Sequence, residues 1–132
     1  MSLSGRVAIV SGAAQGLGRA FAVRLAEEGC EVLGFDVKKE VLDVPGITAM
    51  VADVSKREDV ESVVSKASGM GGIAVLVNNA GTWRKTPVDS PWQQAVDDWD
   101  FIMDTNLKGV MMLSRAVVPF LQQDGGHIIN LS

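Results

Sequence analysis

Apolar positions along this chain follow two alternating rhythms. Short apolar runs at Val7–Ser11, Glu31–Asp36, Ile47–Val51, Ile73–Val77 and His127–Leu131 read as five strands, and largely uninterrupted apolarity suits parallel strands covered on both faces. Between the runs the spacing becomes helical. After the first strand Leu17, Ala20, Phe21 and Leu25 share one face, with Arg19, Arg24, Glu27 and Glu28 elsewhere, until Gly29 ends the helix. Val60, Val63, Val64 and Ala67 mark a second helix, opened by Ser55 and Glu58 at the spacing of a capping box. A longer helical pattern from about Gln93 to Gln122 is broken once near Asn106–Gly109, and Val37–Pro45 reads as loop with room for one helical turn. Strands alternating with helices predict βαβ units and right-handed crossovers. The expected fold is α/β, a doubly wound, mostly parallel sheet within one domain over residues 1–132.

Glycines and polar residues concentrate where these strands end: Gly12–Gly18, Asp36, Asp53, Asn79–Gly81 and, after the fifth strand, Ser132. In a doubly wound sheet ligands bind at that rim. Gly12, Gly16 and Gly18 lie between the first strand and the first helix, where glycine allows positive φ and close ligand approach. The helix N-terminus beyond them offers amide N–H groups and a positive dipole end to a diphosphate. Asp36 follows Gly18 by eighteen positions, near the roughly 20-residue offset at which an acidic residue bonds the adenosine ribose. A carboxylate there accepts from both ribose hydroxyls and repels a 2′-phosphate, which selects NAD over NADP. The plainer alternative is an exposed strand-end aspartate. Lys38 and Lys39 stand close enough to tolerate a phosphate, but Ala13, Ala14 and Gln15 in the turn supply no basic group.

Composition narrows the partners. The 132 residues are 47% hydrophobic and 21% charged, the balance of a soluble globular protein. A net charge of -4 argues against nucleic acid or an anionic membrane as a partner. No apolar run approaches a membrane span and the N-terminus lacks a signal-peptide layout, so a cytoplasmic location is expected. The single cysteine, Cys30, reads as a small buried residue, and no cluster of metal-ligand spacing occurs. Asp97, Asp98, Asp100 and Asp104 read as the solvated face of a helix, and His127 opens a strand at the end away from the ligand rim.

The first turn reads Ser11-Gly12-x-x-x-Gly16-x-Gly18, one residue longer in its first gap than the G-x-G-x-x-G fingerprint. With Asn78–Asn79–Ala80–Gly81, the pair Asp53–Val54 and Asn106 within DTNLKG, this resembles the short-chain dehydrogenase/reductase family, of the classical type, with motifs in order over nearly the whole chain. Ser11 stands where the family most often has threonine, and retains the hydroxyl. The resemblance implies a Rossmann-like sheet and a cofactor site made of Ser11, Gly12, Gln15, Gly16, Leu17 and Gly18, with Asp36 and Val37 at the ribose. It also implies Asp53 and Val54 at the adenine, and Asn79, Ala80 and Gly81 as neighbouring backbone. Asn106 would position a water in the catalytic proton relay. Trp83 and Trp92, in the loop after Gly81, either help line a substrate pocket or only pin that loop.

The family's catalytic serine follows an Asn-x-Ser-Ser segment and precedes Y-x-x-x-K. This sequence reads Asn130–Leu131–Ser132 and contains no tyrosine, so either Ser132 or the residue after it would be that serine. The expectation is the cofactor-binding half of a longer oxidoreductase, inactive alone and oligomeric when whole, with His127–Leu131 left as an apolar sheet edge. Its chemistry would be hydride transfer between a nicotinamide and a secondary alcohol or ketone. A noncatalytic NAD-binding module is the alternative. A methyltransferase is weaker, because it explains neither Asn79–Gly81 nor Asn106.

Overall fold

Val7, Ala8, Ile9 and Val10 are all buried, as a central parallel strand covered on both faces requires. They belong to β1 (Val7–Ser11). The computed structural model describes residues 2–132. The other strands are β2 (Glu31–Asp36), β3 (Thr48–Val51), β4 (Ile73–Asn78) and β5 (His127–Asn130), all parallel in the order β3-β2-β1-β4-β5. The chain steps outward from β1 to β3 and then returns to the other side of β1. This reversal between β1 and β4 is the switch point at which a crevice opens beyond the strand ends.

Alternate residues of β1 feed two cores, because successive side chains leave a strand on opposite faces. Val7 and Ile9 join Leu33, Phe35 and Leu76 beneath α2 (Arg57–Ser68) and α4 (Gly109–Asp124), which contribute Val60, Val63, Leu113 and Val117. Ala8 and Val10 join Val32, Val75 and Val77 beneath α1 (Gly16–Glu27), which contributes Ala22, Phe21 and Leu25. The α2 face expected from Val60, Val63, Val64 and Ala67 is the buried one. Cys30 packs into the second core. Burial, and then the Glu28 carboxylate, push its thiol pKa up. Among the described residues no helix is long and apolar enough to cross a membrane.

Three expectations are corrected. Leu17 and Ala20 do not face the core: α1 buries Gly18 and Ala22, and Leu17 is 64% exposed. Gly18 decides this rotation, since a Cβ there would run into the Gly12 carbonyl and the Asn79 side chain. No capping box forms at Ser55. Its hydroxyl donates to Asp53 Oδ1 at 2.6 Å instead, and α2 begins at Arg57. The break expected near Asn106–Gly109 is a change of helical pitch and not a loss of helix. α3 (Trp92–Met103) runs into one widened π-type turn, Asp104–Lys108, and straight on into α4.

Gly109 lets α4 begin against the segment after β3, because a Cβ there would sit 2.7 Å from Val54 Cγ1 and 3.3 Å from the Val54 carbonyl oxygen. Gly109→Ala is expected to destabilise the fold by about 1–3 kcal/mol through overpacking, measured by urea unfolding. Val54→Ala in the same chain should recover part of the loss, whereas additive losses would place the strain elsewhere.

Candidate active site

The rim of the sheet is held together by one hydroxyl. Ser11, 1% exposed at the end of β1, accepts hydrogen bonds from the amides of Asn79 (3.0 Å) and Ala80 (2.9 Å) and donates to the Val77 carbonyl (3.4 Å). A hydroxyl has one donor and two acceptor positions, so Ser11 is fully used by the framework. Asn79 answers with its side-chain amide, donating to the carbonyls of Ser11 (3.3 Å) and Gly12 (3.2 Å). The strand ends that flank the switch point are thereby fixed to each other. Asn78 points to the other side and donates to Ser114 Oγ (3.1 Å) and Asn130 Oδ1 (2.8 Å), which ties β4 to α4 and β5.

From this knot the chain turns through Gly12 (φ +66°) and Gly16 (φ +57°) into α1. Both torsions lie in the left-handed region that side-chain-bearing residues seldom adopt. The first amides of α1 have no carbonyl within the helix to bond. They stand beside a cleft of about 860 Å³ at the carboxyl ends of the strands. Gly12, Gln15, Gly16 and Leu17 line one end of it, with Asp36 and Val37 next, then Asp53 and Val54, then Asn79, Ala80 and Gly81. Most of the residues singled out by sequence therefore meet in one cavity. Ser11 and Gly18 stay behind its wall, as framework.

Asp36 is oriented before any ligand arrives. Its Oδ2 accepts the Ala14 amide and its Oδ1 the Lys38 amide, both at 3.0 Å. A carboxylate has about four acceptor positions, so two remain for hydroxyls at the cleft. Lys38 Nζ donates to Gln15 Oε1 at 3.0 Å, linking the β2 end to the glycine turn. Asp53 is fixed similarly: its Oδ1 accepts the Ser55 amide (2.9 Å) and hydroxyl (2.6 Å), while its own amide donates to Asp59 Oδ2 (2.8 Å).

Asn106 lies in the widened turn between α3 and α4 and does not line the cavity. Its side chain makes a two-way bond with one residue, accepting the Thr82 amide (2.7 Å) and donating to the Thr82 carbonyl (2.8 Å). Thr82 and Trp83 continue the wall beyond Gly81, and Phe101, Asp104 and Thr105 line the same cavity. Trp83 is 76% exposed along that wall, and Trp92 is exposed at the start of α3 away from it.

Sequence reasoning missed two features. The Lys38–Gln15 link carries no local signature. Asp98 is not on a solvated face: it is 7% exposed and bonded to Arg84 and Thr86 of the loop. A signal was present, because Ala95, Asp98, Ile102, Thr105 and Gly109 recur at helical spacing along the inward seam of α3 and the turn after it. Asp97, Asp100 and Asp104 are exposed as expected.

The family model for short chain dehydrogenases matches residues 6–132. The chain belongs to the short-chain dehydrogenase family. It is 37% identical over its whole length to the 3-oxoacyl-(acyl-carrier-protein) reductase FabG of Thermotoga maritima, of which it covers 57%. It is 33% identical over 99% of its length to the 2-dehydro-3-deoxy-D-gluconate 5-dehydrogenase of Escherichia coli, covering 54% of that protein. A crystal structure described as that of a candidate short-chain alcohol dehydrogenase from Sinorhizobium meliloti superposes with a TM-score of 0.85 at 34% identity, over 98% of this chain and 54% of that one. The chain thus spans little more than half the length of these relatives. Short-chain dehydrogenases are oxidoreductases that use nicotinamide cofactors and act on small molecules.

Removing the Ser11 hydroxyl would leave the half-buried Asn79 and Ala80 amides without their acceptor. Ser11→Ala is expected to cost about 2–3 kcal/mol, read from the chemical-denaturation midpoint. A loss below about 0.5 kcal/mol would mean that the strand ends are held by other contacts.

Proposed function

We propose that this chain forms the dinucleotide-binding part of an NAD-dependent oxidoreductase whose substrate is a secondary alcohol or ketone. The observation that carries this reading is Asp36. Its carboxylate is pinned by two amides at the cleft, at the end of the second strand. There it is set to accept from adjacent ribose hydroxyls, and its charge opposes a 2′-phosphate. Gly12, Gly16 and the first amides of α1 fit a diphosphate, since side chains at the two glycines would strain the turn. Asp53, Val54 and Val37 would flank the adenine. Asn79, Ala80 and Gly81 form the floor towards the reacting end. A bound nicotinamide would supply the hydride acceptor or donor at that end.

Asn106 would serve the proton relay through its backbone, since both ends of its carboxamide are bonded to Thr82. Widened π-type turns inside helices recur at functional sites, and a main-chain carbonyl of this one would hold the water. The side chain meanwhile keeps the loop after Gly81 in place. Ser132, just past β5, lies in the stretch where the family's serine stands. A cytoplasmic homo-oligomer is the physiological form we propose for the whole protein.

Asp36→Ala removes two charge-assisted hydrogen bonds to the ribose, each worth about 1.5 kcal/mol or more. NAD affinity in calorimetric titration should fall by at least about tenfold, while NADP affinity should hold or rise. Equal affinities in the two chains would remove Asp36 from the site.

A further inference from the structure

The carboxylate of Asp98 has no place in the cleft chemistry, yet it is buried and gripped. Burying a carboxylate without partners is costly, and removing the partners of one already buried is costlier still. Asp98 Oδ1 lies 3.4 Å from Arg84 Nη1, and Oδ2 accepts the Thr86 hydroxyl at 2.8 Å. The Arg84 guanidinium also stands over the Phe101 ring, 3.5 Å from its centroid, a favourable cation–π arrangement. Arg84 and Thr86 are two positions apart, as same-side residues of an extended run are. Trp83 and Lys85, which flank Arg84, are exposed. The loop is thus fastened twice to the α3–α4 segment: at Thr82 by Asn106, and at Arg84 and Thr86 by Asp98.

We propose that Asp98 is a positioning residue that sets the wall of the open end of the cleft. Held at both points, residues 82–86 place Trp83 on the wall of the cavity, which Phe101 also lines. Phe101 is itself held by the guanidinium that Asp98 anchors. One buried carboxylate therefore fixes two aromatic residues of the cleft wall, against which a flat or apolar part of a substrate would lie. That this wall meets a substrate rests on the oxidoreductase reading above; that Asp98 holds it does not.

Limited trypsin digestion of the chain, followed by mass spectrometry, tests the fastening directly, since cleavage follows the population of locally opened states. The loop offers Arg84 and Lys85 as cleavage sites, and the helices offer Lys66 and Arg115 as internal references. Asp98→Asn keeps the side-chain size and removes the charge. Cleavage at Arg84 and Lys85 should rise at least about tenfold, with cleavage at Lys66 and Arg115 within about twofold of the parent chain. Thr86→Val, on the exposed side of the contact, should give a smaller rise confined to the same loop. Unchanged loop cleavage, or loop and helices rising together, would overturn the proposal and reduce Asp98 to ordinary structural packing. A spectroscopic check uses chains carrying Trp92→Phe and Trp99→Phe, in which Trp83 is the sole emitter. Asp98→Asn should lower its steady-state anisotropy, and identical anisotropy would count against the clamp. In an NAD titration Asp98→Asn should leave affinity within about twofold of the parent. Absence of NAD binding in both chains would defeat the oxidoreductase reading while the digestion still decides the role of Asp98.

Discussion

Everything at the rim depends on a parallel sheet whose winding order reverses between β1 and β4 and which must nevertheless be held together there. The Ser11 hydroxyl does this by bonding the chain just past β4 from the end of β1, and the Asn79 carboxamide returns the bond to the first turn. Ser11 is buried and Asn79 half-buried, and the bonds both make here are to backbone groups, the condition under which buried polarity stabilises a structure. With those ends locked, the glycine turn has one path into α1, and Gly18 fixes the rotation of that helix beneath the Gly12 carbonyl. Leu17 is turned out to the cleft in consequence. The crevice is thus a product of strand-end chemistry.

The same economy appears in the acidic residues. Asp36, Asp53 and Asp98 each accept two hydrogen bonds from nearby groups before any ligand is considered. For Asp36 this orients a carboxylate at the cavity, which reduces the ordering cost of recognising a ribose. For Asp53 it shapes the turn into α2. For Asp98 it fastens a loop. Local sequence alone makes these three look alike; what separates them is which surface their remaining acceptor positions face.

Much of the fold was legible because periodicity carries it. The apolar runs of β1 and β4 and the seam of α2 at Val60, Val63, Val64 and Ala67 are decided by local spacing. The α1 face was misjudged because spacing cannot see that a glycine, not a leucine, must pass beneath a carbonyl. The capping box at Ser55 does not form because the N-cap of α2 is Lys56, one residue later, and Ser55 belongs to the turn that Asp53 holds. At the site, the glycines, Asp36, Asp53 and Asn79–Gly81 were legible from their places after strands. The Lys38–Gln15 link and the Asp98 clamp were not, since each joins segments that only the folded chain brings together.

The central claim is that a dinucleotide lies along this rim with its diphosphate at the glycine turn and its ribose at Asp36. A titration of the isotopically labelled chain with NAD, followed by amide chemical shifts, tests it residue by residue. The largest shifts should fall at residues 12–18, 36–38 and 53–55, with those at 70–72 and 125–126, at the opposite ends of the strands, unmoved. Shifts gathered at those opposite ends, or none at saturating NAD, would contradict the claim.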